Sequence, residues 1–319
     1  KDKSFYKSFF RLMLMLVLQN VIVLSVNLAD NIMIGTYSET ALSGVAAVNQ
    51  VQFIFQQLIM AAGDTLVTVG SQYWGQKRTE PIKRLTVGAL ILAVSFGAAF
   101  FLAMSFFPEK IISLFTPSEQ IIEAGVEYVR LIRYTYLLLA VSTVILAAMR
   151  SVETVKIAFF ASVQTLIINC VINYLLIEGH FGAPRLGVTG AAIGTLCARA
   201  AELAVILVYF TVKEKKIAFR LSDLGIFDGS LLADYFKTAL FIVIAAGMFG
   251  TSTALQTVVL GHMNDSAIAA NSVATTLFQL LKVASVGASS AAAVLIGKTI
   301  GEGKTDKIKP YTVTLQVIF

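Results

Sequence analysis

Charge is scarce in this 319-residue chain: 14% of residues are Asp, Glu, Lys or Arg, 57% are hydrophobic, and mean hydropathy is +0.79. That poverty excludes a soluble globular domain. Cysteine is almost missing. Cys170 and Cys197 each lie within an apolar stretch and show no CxxC spacing, which gives no basis for a disulfide framework or a thiolate metal site. The two histidines, His180 and His262, fall in short polar links. With no zinc-ligand spacing, nucleophile elbow or phosphate loop, the sequence offers nothing for an enzyme and calls for no cofactor.

What is abundant is long apolar sequence. Eight stretches, near 8–34, 44–72, 85–107, 125–149, 155–178, 187–212, 237–260 and 268–297, are long enough to cross a bilayer, and all five prolines fall between them. A helix needs roughly 20 apolar residues for the ~30 Å hydrocarbon core. Barrel strands would be shorter and would alternate. The net charge of +6 might suggest nucleic acid, but its distribution argues otherwise. With the N-terminus placed in the cytoplasm, nineteen Lys and Arg fall on the inner side and four on the outer, while Arg199 and Lys282 stay inside helices. That asymmetry predicts a multi-pass plasma-membrane protein (the inner membrane of a bacterium) with a cytoplasmic N-terminus and no nucleic-acid partner.

The chain also repeats itself. Residues 35–84 align with 261–310 at an offset of 226 with no gap: Gly35, Ala41, Gly75, Thr79, Ile82 and Lys83 recur as Gly261, Ala267, Gly301, Thr305, Ile308 and Lys309. Seven of the 50 pairs are identical, and most matches sit at the two ends of a long apolar run. An even number of span starts separates the copies, so both insert in the same direction, as parallel repeats about an axis along the membrane normal. The expected fold is all-α, with two six-helix lobes. The first lobe covers 1–212, a charged cytoplasmic linker covers 213–234, and the second lobe occupies 235–319. On that symmetry the second lobe stops after two spans and the start of a ninth at Tyr311, and the whole lobe would run to roughly residue 440. Such a duplication points to a two-lobed transporter.

These residues resemble the multidrug and toxic compound extrusion (MATE) family. The likeness is carried by Asp30-Asn31-Ile32-Met33-Ile34-Gly35, by Gly70-Ser71-Gln72-Tyr73-Trp74-Gly75, by Asn169 with Asn173-Tyr174, and by Gly182 to Val188 leading to Gly190-Ala191-Ala192. Ala269-Ala270-Asn271 and Ile296-Gly297-Lys298 followed by Gly301 complete it. The resemblance implies a monomeric antiporter that exports organic cations or other toxic small molecules against Na⁺ or H⁺ entry, by rocking of the two lobes. The sequence departs from the family in three places. The first span has no proline, Asn173 stands where a carboxylate-rich clade has Asp, and Gln256 lies in a seventh span without glutamate.

Depth along the spans singles out four residues. Counted at 1.5 Å per residue, Asp30, Asn169, Asn173 and Thr195 fall roughly 8–15 Å below the outer surface, and Asn169 and Asn173 share a helix face at i and i+4. One carboxylate with amide and hydroxyl oxygens suits Na⁺, or proton exchange at Asp30. The family's first-lobe cation site maps onto the same positions. The competing reading is a helix-end Asp beside interhelical hydrogen bonds from the two Asn.

Other polar residues inside spans need partners. Asp64 is expected in a structural ion cluster with Arg199 and Glu202, or in a proton relay through them. Gln56, Gln256 and Lys282 are expected to line the cleft, where the Lys282 charge would favour anionic or zwitterionic substrates. That charge also supports an alternative, a flippase for lipid-linked sugars or other lipids. A membrane-embedded enzyme or receptor is the third reading, and the six-helix duplication argues against it. Gly63, Gly70, Gly287, Gly297 and the small run Ser285–Ala293 predict close helix packing. Tyr128, Tyr134, Tyr136 and Trp74, near predicted span ends, read as interfacial anchors.

Overall fold

The computed structural model describes residues 3–225, 228–260 and 265–318. Its elements are α1 (Lys3–Tyr37), α2 (Glu39–Gly75), α3 (Glu80–Phe106), α4 (Pro108–Ile112), α5 (Glu119–Ile132) and α6 (Thr135–Ser151). There follow α7 (Lys156–Leu176), α8 (Gly187–Val208), α9 (Gly229–Leu260), α10 (Asp265–Gly301) and α11 (Thr305–Ile318). No strand occurs among the described residues. Seven helices are long and apolar enough to span a membrane, and α5 with α6 makes an eighth span bent by 53°. His262 lies outside the described residues.

Local chemistry fixes the helix ends. Ser38 caps α2 by accepting from the Ala41 amide at 3.3 Å, with Glu39 in the first turn next to the positive end of the dipole. Pro81 sits in the first turn of α3, where its missing N–H costs nothing. The outer surface keeps large apolar side chains exposed, among them Leu14, Phe160, Ile167, Phe241 and Met248, as lipid contact requires. The most enclosed span is α2, which touches α1, α3, α5, α6, α9 and α10.

The 226-residue repeat is visible in the helix boundaries. α2 ends at Gly75 and α10 ends at Gly301, its equivalent under the offset. The contacts between the copies are reciprocal. A Cβ on Gly75 would meet the Lys298 carbonyl at 2.1 Å, and one on Gly301 would meet the Gln72 carbonyl at 1.9 Å. Lys298 and Gln72 are themselves equivalent under the offset, so α2 and α10 cross about a local two-fold axis. Gly297 packs on Ser71 and Gly287 on Val17, while Gly63 and Gly70 receive Ala147 and Ser151. At this end, which carries the lysines and arginines of the helix termini and is called the basic end below, the halves close on each other. Lys298 Nζ reaches Glu153 Oε1 at 2.6 Å, Trp74 Nε1 donates to the same oxygen at 3.0 Å, and Phe5 stacks on Tyr311 at 3.7 Å.

Three expectations are corrected. The fourth stretch is not one helix, because the chain breaks at Arg133 and Tyr134 between α5 and α6. The helix where a ninth span was expected, α11, begins at Thr305, six residues before Tyr311, so Pro310 lies inside it. Tyr128 and Tyr136 are not interfacial anchors: they are 3% and 0% exposed, because the bend turns both into the protein. Trp74 is likewise engaged, through Glu153.

Candidate functional site

A cavity of 600 Å³ opens between the two halves away from the basic end, walled by α1, α2, α5, α7, α8 and α9. Its lining mixes apolar side chains with a group of amides: Asn27, Asn31, Asn49, Gln50, Gln52, Gln56, Asn169 and Gln256. Asp30 and Arg199 are the charged residues among the described lining. Such a surface offers donors and acceptors to a polar organic molecule without a strong field of either sign.

Asp30, Asn169, Asn173 and Thr195 come together at the wall of this cavity. Asn173 Nδ2 donates to Asp30 Oδ1 at 2.5 Å and approaches Asn169 Oδ1 at 3.4 Å. Asn169 Nδ2 donates to Thr195 Oγ1 at 3.3 Å, and both side chains line the cavity wall beside Asp30. Both asparagines are 0% exposed. The i, i+4 spacing on α7 stacks them on one face, α1 brings Asp30 across from them, and α8 supplies Thr195. Gly194 makes the room, since a Cβ there would sit 2.0 Å from Asn173 Oδ1. That oxygen is buried and accepts no hydrogen bond in the protein. A carboxylate, amide oxygens without a full set of donors and a hydroxyl form a hard donor set that fits a small cation or a proton.

Tyr128, which the sequence reading assigned to the interface, joins this group. Tyr128 lines the same cavity as Asp30, Asn169 and Thr195. The bend that puts it there leaves no proline or glycine mark in the sequence. The amide wall did leave a pattern: Asn49, Gln52 and Gln56 follow i, i+3, i+7 spacing along one face of α2, and Asn27 and Asn31 sit one turn apart on α1.

The expected cluster of Asp64 with Arg199 and Glu202 divides in two. Arg199 Nη1 meets Glu202 Oε2 at 2.8 Å, but Asp64 Oδ1 pairs with Arg150 Nη2 at 2.9 Å. α6 ends at Ser151 against Gly70, near the end of α2, which leaves Arg150 within reach of Asp64 while Arg199 stays with Glu202. Arg150 also donates to Ser290 at 3.3 Å, and Asp64 and Ser290 are equivalent under the 226-residue offset. The guanidinium thus ties the two halves at matching positions.

Lys282 is corrected as well. Gln56 and Gln256 line the cavity and Lys282 does not; its ammonium lies 4.7 Å over the Phe249 ring. A cation over an aromatic face satisfies much of what an acid would supply. Cys170 and Cys197 are free thiols.

The MatE family model matches residues 16–175 and 239–319. Among curated relatives, a probable multidrug resistance protein NorM of Bacillus cereus is 23% identical over 284 residues, which is 88% of this chain and 63% of that protein. Another of the same description, from Thermotoga maritima, is 27% identical over 63% of this chain and 43% of its own length. The chain therefore spans less than two thirds of the length of these relatives. A solved structure described as the outward-facing conformation of a multidrug resistance MATE family transporter superposes with a TM-score of 0.86, at 20% identity over 98% of this chain and 68% of that one. A transporter of the MOP superfamily from Pyrococcus furiosus superposes equally well, with a TM-score of 0.86 at 20% identity. With the family model covering most of its length and the fold agreeing throughout, the chain belongs to the MatE family.

Proposed function

We propose that this chain forms the first lobe and the start of the second in an exporter of drugs or other toxic organic molecules, driven by entry of Na⁺ or H⁺ at Asp30. The observation that carries the reading is the Asp30 carboxylate on the wall of an amide-lined 600 Å³ cavity, beside an Asn173 oxygen that lacks a donor. Relatives described as multidrug resistance proteins support the substrate class.

In this reading the basic end is cytoplasmic and the cavity faces outward. The reciprocal α2–α10 contact, the Glu153–Lys298 pair and the Arg150–Ser290 bond close the inner side. Rocking about the α2–α10 crossing would part these contacts and close the cavity mouth. A cation entering Asp30 and a substrate in the cavity oppose each other's binding, and by linkage the opposition is mutual. Asn169, Asn173 and Thr195 orient the carboxylate and complete the cation's shell, while Gln56, Gln256 and the other amides hold the substrate.

Drug accumulation in cells expressing the whole transporter tests this. Asp30→Asn should raise retention of a fluorescent organic cation to the level of cells without the transporter while the protein still reaches the membrane; unchanged export would refute the role. The flippase alternative loses its main support, because Lys282 rests on Phe249 and not in the cavity.

A further inference from the structure

A second cavity, of 190 Å³, lies on the other side of the Asp30 site toward the basic end, walled by α1, α2, α6, α7 and α8 and edged by Val286 and Ser290 of α10. The two cavities have two lining residues in common, Gln56 and Arg199. Arg199 therefore stands in the partition between them, with Glu202 on the inner side. The pair is well removed from solvent, at 12% and 7% side-chain exposure. Arg199 is also one turn beyond Thr195 on α8, on the face that reaches Asp30, and close enough for its charge to act on that carboxylate.

A buried ion pair is a weak way to hold helices together, because desolvation takes back most of the Coulomb gain. Apolar side chains would close the partition as firmly. What they would not supply is a positive charge beside Asp30. The neighbouring charges are otherwise committed: Arg150, across the second cavity, is tied to Asp64 and Ser290, and Tyr128 presents a neutral hydroxyl.

We propose that Arg199 is an internal counter-cation of the Asp30 site, its guanidinium shared between Glu202 and Asp30 in competition with the coupling cation. The inference rests on the reading of Asp30 above. With a cation on Asp30, Glu202 is the sole anionic partner of Arg199. When the cation leaves, the guanidinium leans toward the vacated carboxylate, so that no lone negative charge is left in a poorly solvated wall. Arg199 thereby lowers affinity for the cation and eases its release. It also keeps Asp30 from acting as a strong anchor for a cationic substrate.

The two halves of the pair make opposite predictions, which a purely structural ion pair does not. Cation binding would be measured on the whole purified transporter, as ²²Na⁺ binding at fixed pH and as proton uptake by titration. Arg199→Gln should tighten binding by about three- to tenfold, and Glu202→Gln, which frees Arg199 for Asp30, should weaken it by a similar factor. Arg199→Lys, which keeps the charge, should stay near wild type. Variants whose binding shifts in the same direction, or that do not shift while remaining monodisperse, would overturn the proposal. Asp30→Asn separates the two ideas: undiminished cation binding in that variant would remove the site assignment itself, and the counter-cation with it.

Discussion

Glu153 is a residue whose environment dictates a pH response. Burial opposes its ionisation, but Lys298 and the Trp74 indole both hydrogen-bond to the charged form, and together they hold the carboxyl below its usual value. A depressed carboxylate adds stability above its unfolded pKa and loses it as pH falls through the lower folded value. Contact between the halves at the basic end should therefore weaken on acidification, over a window that starts near the ordinary glutamate range. Glu153→Gln should flatten that dependence, as read by the pH profile of a spin-label distance across the basic end; a profile unchanged by the substitution would count against the pair as the titrating element. Arg150 supplies a second prediction. It links half-exposed Asp64 to Ser290, so Arg150→Met unties the two halves at this point and should lower the melting temperature slightly, by about 1–2 °C. Asp64→Asn/Arg150→Met, which removes both charges, should recover part of that loss. The identity of this pair was not legible in the sequence. Hydropathy reports where a span lies but not which residues of neighbouring helices face each other, and Arg150, one residue from the end of α6, reads as an inner-loop charge in the sequence.

At the scale of elements, the crossing of α2 and α10 depends on two glycines with no room for a methyl group. A Cβ on Gly301 would sit 1.9 Å from the Gln72 carbonyl, and one on Gly75 would sit 2.1 Å from the Lys298 carbonyl. Backbone atoms at that range cannot yield as a flexible side chain would, so Gly301→Ala must separate the helices. The variant is expected to show a longer distance between labels at residues 76 and 302, and a smaller share of molecules with the basic end closed. An unchanged distance distribution would contradict this account of the crossing. Both glycines were visible beforehand as a repeated pair, because a parallel duplication places equivalent residues on the same axis. The break between α5 and α6 was not. The break at Arg133 and Tyr134 has no proline or glycine to announce it, yet it delivers Tyr128 to the wall of the cavity beside Asp30.

For the whole molecule, composition already required a multi-helix membrane protein, and the 226-residue offset already implied two related lobes. The four residues chosen by depth and helix face, Asp30, Asn169, Asn173 and Thr195, meet because each was counted from the same end of adjoining helices. Lys282 failed that treatment because its partner is an aromatic ring, which charge counting passes over. Under the proposed function, the cavity, the polar cluster on its wall and the closed basic end would be one side of an alternating cycle, with Asp30 as the point where cation and substrate exclude each other. The measurement that tests this most directly is efflux of a fluorescent organic cation from proteoliposomes containing the whole transporter, under an imposed Na⁺ gradient and separately under a pH gradient, with Asp30→Asn alongside. The account predicts export driven by one of these gradients and abolished in the variant. Gradient-driven export that survives Asp30→Asn, or no response to either gradient, would contradict it.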